Sequence, residues 1–582
     1  MRTYSNSENN SIIKEKKLFR YRYKSLKSKQ KTSWKLHPIF IHLIILLAIG
    51  LLAYIFYEKS SKLKFDNTGF IVQKIQNLFS FGTKSYRLTG RTSGEYTSLL
   101  MDSITALWIS IKLGLVGTFI GFILAVVTSV LSFSKATNKY SAFAFKSIIL
   151  ILRAMPELVF IRVITFTARN ELSLLLVFVW FTWLWLHKYY IEIFENVDLS
   201  SYWNSISQGN NKFKAFYKEI WPRVKHRIYS LFLFSFESNM RWSSILGALS
   251  LPGIGVLISY GASQTANFKE LGIPLLFLML FIVFLEIINI LFKKYLIEAK
   301  TKKISINSQF KYINYKQLTR QLNVRKIVYS VIFSLCLIVT AYVLITTKWL
   351  FFELSATKGF FEYFFRPDFT VFDFRSWNLA NPFYVLWESM SFTILALTIC
   401  LLLTLISIRL QSLHLNNKYW AITWRILNVL IRLVPTIVYF FVLQPLFQSA
   451  LFLIILIISL HEMSSISKQL TEAIDNLDEE IILNMRLQGF SNNQIYFKYV
   501  LPAIKFDFIA LSFFYFELIF RNSITYSIFA PSQLNIGTKI WTNLNTRNYH
   551  PEIAMAYTWL ATFAILLINF VGKTITKRLK TH

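Results

Sequence analysis

Residues 192–222 read EIFENVDLSSYWNSISQGNNKFKAFYKEIWP, and residues 472–502 read EAIDNLDEEIILNMRLQGFSNNQIYFKYVLP. They are one segment written twice, offset by 280 positions, and the likeness continues to 243 and 523. Fifteen of the 52 paired positions are identical, among them Glu192/Glu472, Asn196/Asn476, Asp198/Asp478, Gln208/Gln488, Gly209/Gly489, Lys218/Lys498, Pro222/Pro502, Glu237/Glu517 and Arg241/Arg521. A second echo lies upstream, where Leu152-Arg153-Ala154-Met155-Pro156 resembles Ile431-Arg432-Leu433-Val434-Pro435. Internal self-similarity of this kind decides the architecture before any local reading. The chain is read as two equivalent domains joined head to tail.

Each copy sits in a polar interval between hydrophobic spans. Hydrophobic residues make up 54% of the chain, with 55 Phe, 29 Tyr and 15 Trp, far above an ordinary globular domain. They cluster in runs near 39–57, 104–131, 143–168, 172–191, 229–260, 273–292, 327–347, 390–410, 421–447, 450–460, 506–530 and 553–571. Most of these approach the ~20 residues a helix needs to cross ~30 Å of hydrocarbon. The short 450–460 run is extended through His461 to Ile474. The expected fold is therefore an all-α polytopic membrane protein of about twelve transmembrane helices, six per repeat.

The layout follows from charge. A basic tail over 1–36 precedes a first domain over 37–295, a basic linker over 296–326, a second domain over 327–574 and a basic tail over 575–582. The first apolar span is long for a signal peptide and no small-x-small cleavage site follows it, so it reads as an uncleaved anchor. The net charge of +33 is assigned to the inner face of a cell membrane, with both termini and the linker cytoplasmic. The outer segments 58–100 and 348–386 also carry basic residues, so the bias is strong but imperfect. No base-reading module accompanies the charge, and nucleic acid is not expected as a partner. Cys336 and Cys400 lie inside apolar runs and the histidines are scattered, which argues against a disulfide framework or a metal site.

With the N-terminus inside, both copies of the repeated segment face the cytoplasm. Six crossings per half is an even number, so the repeats are parallel, about an axis along the membrane normal. In each copy a glycine (Gly209, Gly489) interrupts helical sequence and a proline (Pro222, Pro502) follows 13 residues later. A glycine break followed by a proline-started helix predicts two short helices meeting at a fixed angle. An ordinary helix–turn–helix loop reads the same way in one copy; the repeated spacing favours a shared docking element.

Charges inside apolar runs cost ~2.5–3.5 kcal/mol each near the bilayer centre, which singles out Arg153, Arg162, Glu237, Arg241, Arg432, Glu517 and Arg521. Glu237/Arg241 and Glu517/Arg521 have i,i+4 spacing and can pair along one helix face. Two readings stay open. The pairs neutralise each other and pin neighbouring helices, or the arginines line a pathway for an anion, for which guanidinium is well shaped. Arg153 with Arg432 recurs and is the stronger pathway candidate. Pro156 and Pro435 should kink their helices. Gly253 and Gly255, after Pro252, permit a close approach or a re-entrant turn, and simple helix termination fits equally.

At these residues the chain resembles the membrane subunit of a bacterial ATP-binding-cassette importer, with the type I importer permease fold. Gly489 with Leu501-Pro502 fits the cytoplasmic coupling loop of that family well, and Gly209 with Trp221-Pro222 fits more loosely. The acidic residue expected six positions before the glycine is replaced by Trp203 and Leu483. Within the importers, Arg153 through Pro156-Glu157-Leu158, then Asn239-Met240-Arg241, Gly247 and Gly253-Ile254-Gly255, resemble phosphonate-type permeases; Arg432, Pro435, Arg521 and Ile536-Gly537 survive in the second half. The resemblance is firmest over 97–292 and 387–572. It implies two separate ATPase subunits gripping the two loops, an extracytoplasmic binding (lipo)protein, and an anionic organic phosphorus solute crossing between halves that relatives supply as two subunits. Glu157 joins Arg153 as a pathway candidate on the same ground.

No cofactor is expected on this chain; ATP and Mg²⁺ belong on the partners. Gly572-Lys573-Thr574 matches the tail of a phosphate loop, but Leu567 stands where its first glycine belongs. The chain is thus read as a transport subunit and not an enzyme. Two alternatives remain from sequence. In one, the same architecture imports thiamine diphosphate or an amino acid; in the other, Glu237 and Glu517 belong to an ion-coupled secondary transporter.

Overall fold

The computed structural model describes residues 16–17, 20–24, 32–36, 38–60, 68–85, 97–263, 265–292, 294–295, 324–447, 449–545 and 548–580. Most of the expected linker (296–323), part of the outer segment (86–96) and 1–15 of the basic tail lie outside them. The chain divides into two units, 1–62 and 63–582.

The first unit holds β1 (Lys16–Lys17), β2 (Arg20–Lys24) and β3 (Thr32–Leu36) in one antiparallel sheet, then α1 (Pro38–Ser60). Strands stand where the sequence reading has only a charged tail. The alternation Arg20-Tyr21-Arg22-Tyr23-Lys24 carries the period of two that a strand requires. Helix α1 is the expected first span.

The second unit is helical and is written twice. It opens with α2 (Thr68–Phe79) and the paired strands β4 (Lys84–Ser85) and β5 (Thr97–Ser98). Then come α3 (Leu99–Leu131), α4 (Lys139–Ala154), α5 (Glu157–Thr167), α6 (Glu171–Glu195), α7 (Ser200–Ser207), α8 (Lys212–Ala215), α9 (Trp221–Ala248), α10 (Ile254–Ser263) and α11 (Gly272–Phe292). After α12 (Val324–Thr346) and α13 (Leu354–Phe364), the series repeats. It runs through α14 (Pro382–Gln411), α15 (Lys418–Leu433), α16 (Thr436–Leu443), α17 (Ala450–Asp475), α18 (Glu479–Leu487), α19 (Asn492–Ile495), α20 (Leu501–Thr525) and α21 (Asn535–Asn543). The paired strands β6 (Leu544–Asn545) and β7 (Asn548–Tyr549) then lead into α22 (Pro551–Lys580). Helices α14 to α22 thus match α3 to α11 one for one.

Among the described residues eight helices are long and apolar enough to cross a bilayer alone, namely α1, α3, α6, α11, α12, α14, α17 and α22. The bent pair α15–α16 makes a ninth. The expectation of twelve continuous spans changes for two physical reasons. A residue before proline is driven out of the helical region. Met155 (ψ 144°) and Val434 (ψ 124°) are extended, so the third span of each repeat is broken where a kink was expected, by 83° in the second half. The runs at 229–260 and 506–530 are α9 and α20, whose buried Glu–Arg pairs make them too polar to pass as lipid-facing helices.

The halves pack reciprocally. Helix α5 lies against α20 and α21 of the second half, as α16 lies against α9 and α10 of the first; α4 meets α22 as α15 meets α11. Such i-to-j, j-to-i contact is the mark of a two-fold relation. One core joins Ala154 and Phe160 to Phe520, Ile524 and Tyr557; its counterpart joins Met240 and Ile254 to Ile437 and Val438. The halves therefore share their cores. Helix α12, which begins the second half in sequence, packs on α3 of the first, with Phe333 edge-on to Phe119 at 5.3 Å and Cys336 buried.

Within the first half, α3 presses against α6 through glycine. A Cβ on Gly117 would stand 2.5 Å from the Phe178 side chain, and one on Gly121 2.7 Å from that of Thr182. Only the missing side chains let the two backbones approach this closely.

Candidate functional site

The two repeated loops have the same local structure, which follows from sequence step by step. Helix α7 ends at Gly209 (φ 86°), where Gly209 N–H donates to Ile206 O at 2.9 Å and Asn210 N–H to Ser205 O at 3.3 Å. Helix α18 ends at Gly489 (φ 84°), with Gly489 N–H to Arg486 O at 2.9 Å and Phe490 N–H to Met485 O at 3.1 Å. This is a Schellman termination, whose left-handed residue favours glycine. The next helix is capped at once. The Asn211 side chain accepts from Lys214 N–H at 2.8 Å, and Ser491 and Gln494 form a reciprocal capping box.

The expected proline-started helix is corrected here. Chain 212–248 is helical from Lys212 onward, through a π-turn at Phe216–Ile220, and 492–525 likewise through Tyr496–Val500. In both copies the residue before the proline donates five positions back, Trp221 to Phe216 O and Leu501 to Tyr496 O. Proline has no N–H for the ladder, and the wider turn just before it absorbs the mismatch. Pro222, Leu501 and Pro502 thus mark a bulge inside a continuous helix.

The inner faces of the loops are fastened to the bundle. Phe216 is buried against Phe133 and Phe194 with ring centroids 6.0 and 5.3 Å away, and Tyr202 OH donates to Lys135 O at 2.8 Å. In the second copy Tyr496, the counterpart of Phe216, donates to Leu405 O at 2.7 Å. Arg409 donates to Asn493 Oδ1 at 3.0 Å, and Arg486 to His414 O. The outer faces carry exposed apolar groups at paired positions, Trp203/Leu483 and Tyr217/Phe497, with Phe213 and Leu487 beside them; Leu487 is 86% exposed. Exposed apolar groups gathered in this way are a feature of protein-interaction surfaces.

The buried charges come together at the junction of the halves. Arg153 Nη2 donates to Glu517 Oε1 at 3.0 Å, and Arg521 Nη2 donates to the same oxygen at 2.6 Å. Arg241 pairs with Glu237 at 3.2 Å, and Asn289 Nδ2 donates to Glu237 at 3.0 Å. Both i,i+4 pairs read from sequence therefore form. Arg153 and Arg432 each cross to the other half but find different partners: Arg432 donates to Glu286 Oε1 at 2.9 Å, joined there by Lys468 at 3.0 Å. Glu157 opens α5 immediately after Pro156, and its Oε2 is buried without a hydrogen-bond partner among the described residues. The Nε atoms of Arg432 and Arg521 are buried and unaccepted in the same sense.

Glu286, Lys468 and the buried Glu462, which accepts from Asn522 at 3.3 Å, were missed in the sequence reading. Glu286 was findable as a lone acid inside the apolar run 273–292. Glu462 lies in the His461–Ile474 extension of the 450–460 run, where no arginine at i,i+4 marks it.

Gly253 (φ 111°) forms the left-handed turn between α9 and α10, where Ser110 Oγ accepts from Ile254 N–H at 3.0 Å. A Cβ on Gly255 would lie 1.9 Å from Ser243 O. The two glycines close a tight helical hairpin, and Pro156 and Pro435 stand at the breaks already described.

The chain is a duplicated, interlocked helical bundle with two equivalent loops and a charged seam, in the type I permease fold. Residues 404–581 match the family model described as binding-protein-dependent transport system inner membrane component. Along most of its length the chain is similar to the ABC transport system permease protein p69 of Mycoplasma genitalium, 26% identical over 564 residues, 96% of this chain and 98% of that one. It is also similar to the protein of the same name from Mycoplasma pneumoniae, 28% identical over 419 residues, 72% of this chain and 75% of that one. No solved structure matches. These likenesses are to membrane subunits of binding-protein-dependent and ABC transport systems, and eight helices among the described residues are long and apolar enough to cross a membrane.

Proposed function

We propose that this single chain supplies both halves of the pathway of an ATP-driven importer for an organic phosphorus anion, a phosphonate or phosphate ester. The observation that carries the reading is the duplicated loop. Gly209 and Gly489 share one φ, one capping scheme and one π-turn before proline, so the chain presents two equivalent sockets to two ATPase subunits. Closure of those subunits on ATP drives the loops, and the reciprocal interface converts that movement into inward- and outward-facing states. An extracytoplasmic binding protein delivers the solute. This chain contributes binding, orientation and motion, and the ATPases contribute hydrolysis.

The anionic cargo rests on the seam. Arg153, Arg241, Arg432 and Arg521 converge there, and buried Nε groups on Arg432 and Arg521 lack acceptors among the described residues. A buried donor without an acceptor costs roughly 1–3 kcal/mol, and a passing oxyanion would satisfy it.

Mild detergent extraction followed by an ATPase assay tests the reading. Co-purification of an ATPase whose turnover rises with liganded binding protein, and falls when Gly209 or Gly489 is replaced, is the expected result. A chain that purifies alone and moves solute into liposomes under an ion gradient, without ATP, would overturn it in favour of ion-coupled transport.

A further inference from the structure

At the ends of α5 and α9 farthest from the coupling loops lies a cavity of roughly 340 Å³, within the range of small-ligand sites. Helix α6, 25 residues long, separates it from the loop at Asn196 by ~37 Å at 1.5 Å per residue. Its walls include Arg162, Thr165, Arg169, Asn170 and Ser250 from the first half and Trp541 from the second. The cavity thus opens between the halves on the face away from the ATPase sockets.

Its chemistry is cationic. Arg162 is clamped between the rings of Trp541 and Phe166, with guanidinium-to-centroid distances of 4.2 and 4.6 Å, and its Nε donates to Leu544 O at 3.1 Å. Arg169 lies over Phe352 at 3.6 Å, and its backbone is tied by Arg169 N–H to Leu350 O at 3.2 Å. Neither guanidinium is in an ion pair among the described residues, although the nearby Glu171 is, with Lys112 at 2.8 Å. Stacked and pinned in this way, Arg162 holds its terminal N–H fork in one orientation, the arrangement that grips two oxygens of a carboxylate or phosphate group.

Backbone strain gathers at the same place. Asn170 (φ 55°) and Ser250 (φ 65°) are two of the four described non-glycine residues with positive φ, and both line the cavity. Such conformations cost about 1–3 kcal/mol and persist where the surroundings impose them, commonly at ligand sites. The pseudo-equivalent position in the second half is not built this way. Phe441 stands where Arg162 does, and Phe440, Phe441 and Phe529 pack together with centroids 5.2–6.1 Å apart. One outer mouth is cationic and open; its counterpart is filled with aromatic rings, and the nearby cation Lys74 is buried with its Nζ donating to Phe441 O at 2.6 Å.

We propose that the Arg162–Arg169–Trp541 cavity is an outer-mouth binding site for a small dissolved oxyanion, a phosphate, phosphonate or carboxylate group. It rests on the permease reading only for which face is outside. Because Trp541 belongs to the other half, the site is complete only while the two halves hold this relation, and movement between them would release the ligand.

The test uses Thr165→Cys in the full chain, since Cys336 and Cys400 are both buried. An anionic thiosulfonate should label the new thiol about tenfold faster than a cationic one of similar size, and millimolar inorganic phosphate should slow both. Arg169→Gln and Arg162→Gln should each reduce the charge preference and the protection; Arg162→Lys should keep the preference and lose the protection, because a point charge lacks the fork. Arg169→Gln keeps the test decisive if loss of the Arg162 clamp disturbs folding. Equal labelling rates, or no protection by phosphate, would overturn the site. Protection by anionic lipid in nanodiscs but not by phosphate would replace the solute with a headgroup. Failure of an ATPase to co-purify would strike the permease reading and leave these labelling results standing.

Discussion

Arg153 and Glu517 lie 364 positions apart in sequence and meet at 3.0 Å, across the junction of the two halves. The carboxylate is shared with Arg521 on its own helix, so a local i,i+4 pair and a long-range pair converge on one oxygen. Glu517 is 4% exposed. Charges held this far from water stay ionised only through one another.

Glu517→Gln should therefore cost about 3–5 kcal/mol by leaving two arginines unpaired. Joint replacement of Arg153 and Glu517 by apolar residues should cost less than the sum of the single changes. Thermal unfolding of the detergent-solubilised chain measures the double-mutant cycle. Additive costs would mean that the pair is not coupled.

Gly209→Ala and Gly489→Ala should each lose about 1 kcal/mol locally, because alanine disfavours positive φ. Space is not the obstacle, since a Cβ at either position would meet nothing within 4 Å. Asparagine, which tolerates the left-handed region, should restore most of any lost ATPase stimulation. Equal defects for Ala and Asn would point to a steric need for glycine in the docked complex.

Leu487→Asp or Phe497→Asp should leave unfolding within ~0.5 kcal/mol of the native chain, because both side chains are exposed. The same variants should lose ATPase co-purification. Retention of the ATPase by both would remove these faces from the interface.

Gly255→Ala should disrupt assembly of the first half outright, since its Cβ would fall 1.9 Å from the Ser243 carbonyl oxygen. Gly50→Ala in α1, where a Cβ meets nothing within 4 Å, is the matched control. Expression yield and monodispersity should separate the two.

Just before α7, Asp198 accepts from Ser200 Oγ at 2.6 Å and from Ser200 N–H at 3.0 Å. The Ser200 hydroxyl, then its N–H, hold the Asp198 carboxyl below the ordinary aspartate value. A group lowered in the folded state contributes stability above its unfolded value and loses it as pH falls through the folded one. The protection of α7 amides, corrected for the intrinsic pH dependence of exchange, should therefore fall at acid pH, and Ser200→Ala should weaken that dependence. An acid response unchanged by Ser200→Ala would assign it to another group.

Much of this arrangement was readable in advance. The 280-residue offset identified paired loops, and both expected Glu–Arg pairs form. Both depend on near neighbours: helical spacing of 3.6 residues per turn puts i and i+4 on one face whatever surrounds it. Proline was half legible. It announced a disturbance at 156, 222, 435 and 502, but the outcome was a sharp break at two sites and a π-turn within a continuous helix at the other two. The backbone chooses between those outcomes according to what its neighbours allow.

The sequence by itself determined that the chain is helical, apolar and duplicated, and it located the glycines that end a helix in each repeated loop, because those properties are set by composition, period and local backbone freedom. Only tertiary structure decided which half each charge serves. Arg153 and Arg432 are equivalent in the repeat, yet one finds Glu517 and the other Glu286 and Lys468. Likewise, Arg162 faces a cavity completed by Trp541 of the other half, while its counterpart Phe441 joins an aromatic cluster. A repeat specifies equivalent helices; the partners of a long side chain depend on distances between helices that are far apart in sequence, and no local pattern encodes those.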